Sequence, residues 1–127
     1  MKDCIFCQIS KGKIPAHVVY QDKQVVAFLD NQPKSCGHTL IIPRKHFVNI
    51  FDIPNDLLTT VIKTTKKIAQ NIKKNLKPDG LSIYQNNGAL AGQTVDHLHF
   101  HLIPHYQKKS PIKKENFSAV LNQLNKK

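Results

Sequence analysis

The spacing of apolar positions changes several times along the chain, and each change outlines an element. Val18-Val19-Tyr20 and Val25-Val26-Ala27-Phe28-Leu29 are short β-branched apolar runs on either side of the polar residues 21–24, which predicts a hairpin. A third strand is expected over His38-Thr39-Leu40-Ile41-Ile42, closed by Pro43, after the loop Asn31-Gln32-Pro33-Lys34-Ser35-Cys36-Gly37. Then the period lengthens. Leu57, Leu58, Val61, Ile62, Thr65, Ile68, Ala69, Ile72 and Leu76 recur every three or four residues, with lysines at 63, 66, 67, 73 and 74 filling much of the other face. This predicts an amphipathic helix of several turns, entered at Pro54 and left at Pro78 and Gly80. Strands are expected over residues 81–84 and 98–103, and short helices over residues 4–11 and about 115–124. Hairpins, one long helix and a late strand give an α+β fold with a mostly antiparallel five-stranded sheet and short terminal helices.

Composition narrows the setting. A chain of 127 residues is the size of one domain and can bury a real core. We divide it into a domain over residues 1–107 and a basic tail with a short helix, residues 108–127, belonging to the same unit. With 40% hydrophobic and 21% charged residues, it has the balance of a soluble protein. No apolar run is long enough for a membrane span, and the N-terminus does not read as a signal peptide. The expectation is a cytoplasmic protein, whose three cysteines are then poor candidates for a disulfide. The net charge of +11 attracts anions of any kind. Its lysines concentrate between 63 and 77 and beyond 108, where a solvated helix face accounts for them. No basic stripe interleaved with aromatics points to nucleic acid.

The chemistry concentrates in Asp96-His97-Leu98-His99-Phe100-His101-Leu102-Ile103-Pro104-His105. On a strand, Leu98, Phe100 and Leu102 face a core while His97, His99 and His101 share the opposite side. Two imidazoles at that spacing can converge on a metal. Alternatively, one is a nucleophile, since a neutral ring carries a lone pair on one nitrogen while the other N–H is held by an acceptor. The preceding loop favours the second reading: Gly88, Gly92, Gln93 and Thr94 offer close backbone approach, amides and a hydroxyl to an anionic phosphate group. No carboxylate pair is at hand for magnesium. Cys4-Ile5-Phe6-Cys7 is a second motif, and by itself it leaves zinc chelation, redox chemistry and no role all open.

His97-Leu98-His99-Phe100-His101-Leu102-Ile103 resembles the hallmark of the histidine-triad (HIT) superfamily, His-x-His-x-His followed by two apolar residues. The similarity extends to Ile5-Phe6, Ile14-Pro15-Ala16, Phe28-Leu29-Asp30, Gly37-His38-Thr39-Leu40-Ile41-Ile42-Pro43 and Gly92-Gln93-Thr94-Val95, leaving the last twenty or so residues unmatched. The resemblance implies a homodimer whose sheets join, and a purine nucleotide substrate. It implies a hydrolase or nucleotidyl transferase that cleaves nucleoside phosphoramidates, adenylylated amines or dinucleoside polyphosphates. The alternative is a nucleotide sensor or partner-binding module with little turnover.

By the same resemblance, His99 attacks the α-phosphorus, and His101 and Asn86 contact the phosphate beside the backbone of Gly92 and Thr94. Gln93 and Thr94 support the leaving group, and His38 completes a four-histidine cluster. Asp30 binds ribose, and Ile5, Phe6, Ile9, Ile14 and Phe28 enclose the base. Certain bacterial members imply one structural zinc held by Cys4, Cys7, His46 and His97. His17 and His105 are expected to be surface or supporting residues, and Cys36 a small buried or surface thiol.

Overall fold

The computed structural model describes residues 4–127. A short helix α1, Ile5–Ser10, is capped by the Cys4 thiol, which accepts the Cys7 N–H at 3.4 Å. Strands β1, Val18–Gln21, and β2, Val25–Leu29, form the expected hairpin, and β3, Thr39–Pro43, pairs with β2. Helix α2 runs Asn55–Asn75, with Pro54 at its entrance and Lys73 and Lys74 in its last turn, where they complement the helix dipole. Lys77 leaves the helix in a left-handed conformation, φ 52°, immediately before Pro78. Strands β4, Gly80–Gln85, and β5, Phe100–His105, and helix α3, Phe117–Leu124, complete the chain. The sheet order is β1-β2-β3-β5-β4 with every neighbour antiparallel, so the expected α+β class and strand number hold.

Both faces of the sheet are covered, which is why β2 and β3 are buried along their whole length. Val25, Ala27, Leu29, Ile41, Phe100 and Leu102 pack with Val61, Ile68 and Ile72 of α2 and with Val120 and Leu124 of α3. The alternate residues Val26, Phe28, Leu40 and Ile42 pack against Phe6 of α1 on the other face. Each valine, leucine, isoleucine and phenylalanine among these contributes on the order of 1.5–3 kcal/mol by leaving water. The C-terminal helix is fastened to the long one: Gln123 donates to the Asn75 carbonyl at 2.9 Å, and Asn75 donates to the Leu124 carbonyl at 3.2 Å. Among the described residues no helix is long and apolar enough to cross a membrane.

One boundary differs from the sequence pattern in a way that matters for the site. Alternation predicts a strand from Leu98, whereas β5 begins at Phe100. The Leu98 N–H donates to the Phe47 carbonyl at 2.7 Å instead of to a strand neighbour. Leu98 still enters the core, fully buried, while His97 bonds to the Pro43 carbonyl at the end of β3 and lies against His46 just beyond it.

Candidate functional site

The triad histidines and His38 each have one ring nitrogen committed to a fixed partner, and that commitment decides what the other nitrogen does. His99 Nδ1 lies 2.8 Å from the His97 carbonyl. A carbonyl only accepts, so Nδ1 carries the proton and Nε2 keeps its lone pair. His97 Nε2 donates in the same way to the Pro43 carbonyl at 2.8 Å, which leaves its Nδ1 as the lone-pair nitrogen. His38 Nδ1 accepts the Lys34 backbone N–H at 3.1 Å, so its proton is on Nε2. That Nε2 faces His101 Nδ1 at 3.0 Å and Asp30 Oδ2 at 3.5 Å. His101 therefore accepts at Nδ1 and presents its Nε2–H outward.

Burial keeps these rings neutral. It pushes His101 down to about 4, helped by the charges of His99, His38 and Lys34. Burial likewise holds His99 below the usual histidine range, against the opposing pull of the His97 carbonyl and of Asp30. His38 is lowered for the same reason, with Asp30 opposing. A neutral His99 is what a nucleophile requires.

His99 and His101 open into a cavity of about 680 Å3. Ile5, Phe6, Ile9, Ile14 and Phe28 form its apolar wall, with Phe6 edge-on to both Phe28, at 5.5 Å, and His99, at 5.2 Å. Asp30, His38, Asn86, Gly92 and Thr94 also line it, so the structure brings nearly all the sequence-derived residues to one place. Gln93 is the exception. It is buried beneath the loop, where its carbonyl accepts the Gly88 N–H at 2.8 Å. Its amide nitrogen donates to the carbonyls of Val48 and Val95 at 2.5 and 3.0 Å. Its polar atoms are thus spent on holding the Gly88–Gly92 turn, and it does not line the cavity.

Lys34, Tyr84 and Phe117 line the cavity as well, and sequence reasoning missed all three as site residues. Tyr84 pairs with His101 across β4 and β5 and stacks on its ring at 4.5 Å, a consequence of strand register that no local pattern reveals. Phe117 opens α3 and stacks on His17 at 5.1 Å, which carries the C-terminal segment to the cavity rim. The His105 side chain bonds to Ser82 at the exposed end of β5, and Cys36 is buried in the main core.

A second cluster lies behind the triad. Cys4, Cys7, His46 and His97 bring one sulfur or nitrogen each to within 4.8 Å of one another. Cys4 Sγ and Cys7 Sγ are 3.3 and 3.5 Å from His97 Nδ1, and Cys7 Sγ is 3.3 Å from His46 Nδ1. The edges of a tetrahedron with metal–ligand bonds of about 2.0–2.3 Å are roughly 3.5 Å long, so the donor set fits a four-coordinate ion. His97 already has its ligating nitrogen free and its other N–H anchored on Pro43, as a metal-bound histidine needs. Burial and the neighbouring Cys4 push the Cys7 thiol up, and a bound cation would reverse this by stabilising the thiolate. These residues could hold a metal ion. Asp30, His38 and His101 also converge, but the Lys34 amide forces a proton onto His38 Nε2, between the rings. That proton is donated to His101 Nδ1, with the Asp30 carboxylate beside it at 3.5 Å.

The HIT domain family model matches residues 11–108. An uncharacterized HIT-like protein of Methanocaldococcus jannaschii is 49% identical over 127 residues, 95% of this chain and 98% of its own. The adenosine 5'-monophosphoramidase of Saccharomyces cerevisiae is 46% identical over 109 residues, 86% of this chain and 66% of its own. A hypothetical histidine triad nucleotide-binding protein from Sulfolobus tokodaii superposes with a TM-score of 0.90 at 35% identity, covering 95% of this chain and 89% of that one. A Zn-bound histidine triad family protein from Mycobacterium smegmatis gives 0.83 at 32% identity, covering 97% and 94%.

Proposed function

The chain belongs to the HIT domain family, as a hydrolase of that family, and we propose that it cleaves nucleotide substrates at the α-phosphate through a covalent nucleotidyl-His99 intermediate. The observation that carries this is the neutral His99 ring, with its Nδ1 proton held by the His97 carbonyl and its Nε2 lone pair free beside the cavity. Nε2 attacks phosphorus, the P–N bond forms, and the bond to the leaving group breaks with its electron pair on the departing atom. Water then attacks the same phosphorus, the P–N bond breaks, and the nucleoside monophosphate leaves.

His101, its proton turned outward through the Lys34–His38–His101 chain, donates to a phosphate oxygen, with Asn86, Gly92 and Thr94 beside it. Asp30 takes the ribose hydroxyls, and the wall from Ile5 to Phe28 takes a purine base. Gln93 acts at one remove, by holding the loop. Phosphoramidates, adenylylated amines and dinucleoside polyphosphates are the candidate substrates, and the name of the yeast relative supports the first.

We assign Cys4, Cys7, His46 and His97 as holders of one zinc. When bound it supplies folding free energy and no open coordination position for chemistry. His97 then fixes the turn whose carbonyl orients His99. The open edge of β4, with Ile83 half exposed, is where we place continuation of the sheet into a second copy, and the setting we propose is the cytoplasm.

The test is to quench the protein in the presence of an α-phosphate-labelled adenylyl substrate and look for an acid-labile adduct. Wild type should form it, and His99→Ala should form none while turnover falls at least about 10^3-fold. Tight nucleotide binding without adduct or turnover would replace the enzyme with the sensor reading.

A further inference from the structure

The side chains along the cavity floor stand in a definite order. Phe6 of the apolar wall touches His99 at 5.2 Å between ring centres, His99 touches His101 at 4.9 Å, and Tyr84 stacks on His101 at 4.5 Å. The Tyr84 hydroxyl then receives the Lys34 ammonium at 3.2 Å. With a base against Phe6 and its α-phosphate between His99 and His101, whatever is attached to that phosphate on the far side meets Tyr84 and Lys34. Attack from His99 requires the leaving group to depart away from His99, which is the same direction.

Lys34 has the character of a contact for an anion. Its ammonium makes no ion pair with a carboxylate among the described residues, and the phenol oxygen is its hydrogen-bond partner there. Its position is also defined: its own backbone N–H is fastened to His38, so the side chain starts from the rim of the reacting centre. The Tyr84 ring is held in turn by the sheet, since Tyr84 and His101 are register partners across β4 and β5. A neutral amine departing here meets a cation that it has no charge to satisfy.

We propose that Lys34, positioned by Tyr84, is the specificity-determining contact for a phosphate-bearing leaving group, so that this chain prefers substrates whose α-phosphate is joined by an anhydride to a further phosphate. The proposal rests on the hydrolase reading above. In the step it serves, the P–N bond to His99 forms and the anhydride P–O bond breaks. The oxygen leaves with the electron pair as a terminal phosphate, and the Lys34 ammonium offsets that charge without giving up a proton.

The experiment compares kcat/KM for diadenosine tetraphosphate and for adenosine 5'-phosphoramidate in wild type, Lys34→Met, Lys34→Arg and Tyr84→Phe. Lys34→Met should lower the ratio of the first to the second about tenfold, the size expected of one charged contact at a solvent-accessible site. Lys34→Arg should restore most of the ratio, and Tyr84→Phe, which keeps the stack and loses the tether, should lower it two- to threefold. The Lys34→Met effect should shrink as salt is raised from 50 to 500 mM. An unchanged ratio, or one lowered equally by Lys34→Arg, overturns the proposal and leaves the hydrolase reading standing. A wild type that turns over neither substrate overturns both.

Discussion

Gly88 and Gly92 bound one turn of the loop above the triad, and replacing each by alanine should separate backbone strain from damage to the site. Gly92 sits at φ 96°, ψ 12°, in the left-handed region, where a side chain costs about 1–2 kcal/mol. Gly88 is at φ 92°, ψ 152°, a region that is nearly glycine's alone, and alanine there costs on the order of 2–3 kcal/mol. At this chain length each kcal/mol moves the melting temperature by about 4 °C. Gly92→Ala should therefore melt roughly 4–8 °C lower than wild type, and Gly88→Ala roughly 8–12 °C lower.

Activity should rank the other way. A Cβ on Gly88 meets nothing within 4 Å, whereas one on Gly92 lies 3.0 Å from the Asn86 amide nitrogen. That contact pushes aside a group assigned to the α-phosphate. Losing a hydrogen bond to a charged group costs about 1.5–3 kcal/mol, or roughly 10- to 150-fold in kcat/KM. Thermal melts and steady-state kinetics at 25 °C on the two variants decide the matter. If Gly88→Ala loses as much kcat/KM as Gly92→Ala, or if Gly92→Ala keeps full activity, the assignment of Asn86 to the phosphate is wrong.

Other consequences are open to measurement. Protein purified without chelator should carry near-stoichiometric zinc, and Cys7→Ser should lose the metal and melt at least about 10 °C lower; a metal-free wild type with an unshifted Cys7→Ser variant would remove the metal centre. Because the folded state holds His101 at about 4, below the ordinary 6.5 of an unfolded histidine, folding favours the neutral ring. The contribution, on the order of 2–3 kcal/mol, is complete above about pH 6.5 and lost as pH falls toward 4. Urea titrations at pH 7.5, 6 and 4.5 should show this decline, and His101→Gln should make it shallower, with His97, His99 and His38, also lowered by burial, supplying the rest; an equal slope in wild type and variant would show that His101 is not among its sources. Phe117→Ala, at the cavity rim, should raise KM for adenosine nucleotides several-fold with kcat within twofold of wild type. A change confined to kcat would mean that α3 acts on the chemistry rather than on the base end.

The sequence by itself determined what depends on neighbours in the chain. The short apolar runs of β2 and β3 and the period of three to four in α2 follow from which residues must leave water, and they pointed to the sheet and the long helix. The alternation from His97 to His101 likewise pointed to the histidine cluster, two of whose members line the cavity, and the resemblance supplied Cys4, Cys7 and His46 as a set. Tertiary structure decided the rest, because a hydrogen-bond partner or a strand register is contributed by residues distant in the chain.

Which nitrogen of His97 is free depends on the Pro43 carbonyl, and which proton His38 carries depends on the Lys34 amide. Tyr84 reached the site through β4–β5 register and Phe117 through the docking of α3. Gln93, adjacent to Thr94 in sequence, faces inward because the Gly88–Gly92 turn needs its amide. Even the start of β5 was set from a distance: Phe47 took the Leu98 N–H that a strand partner would have held, and His97 stands beside the two cysteines instead of lining the cavity.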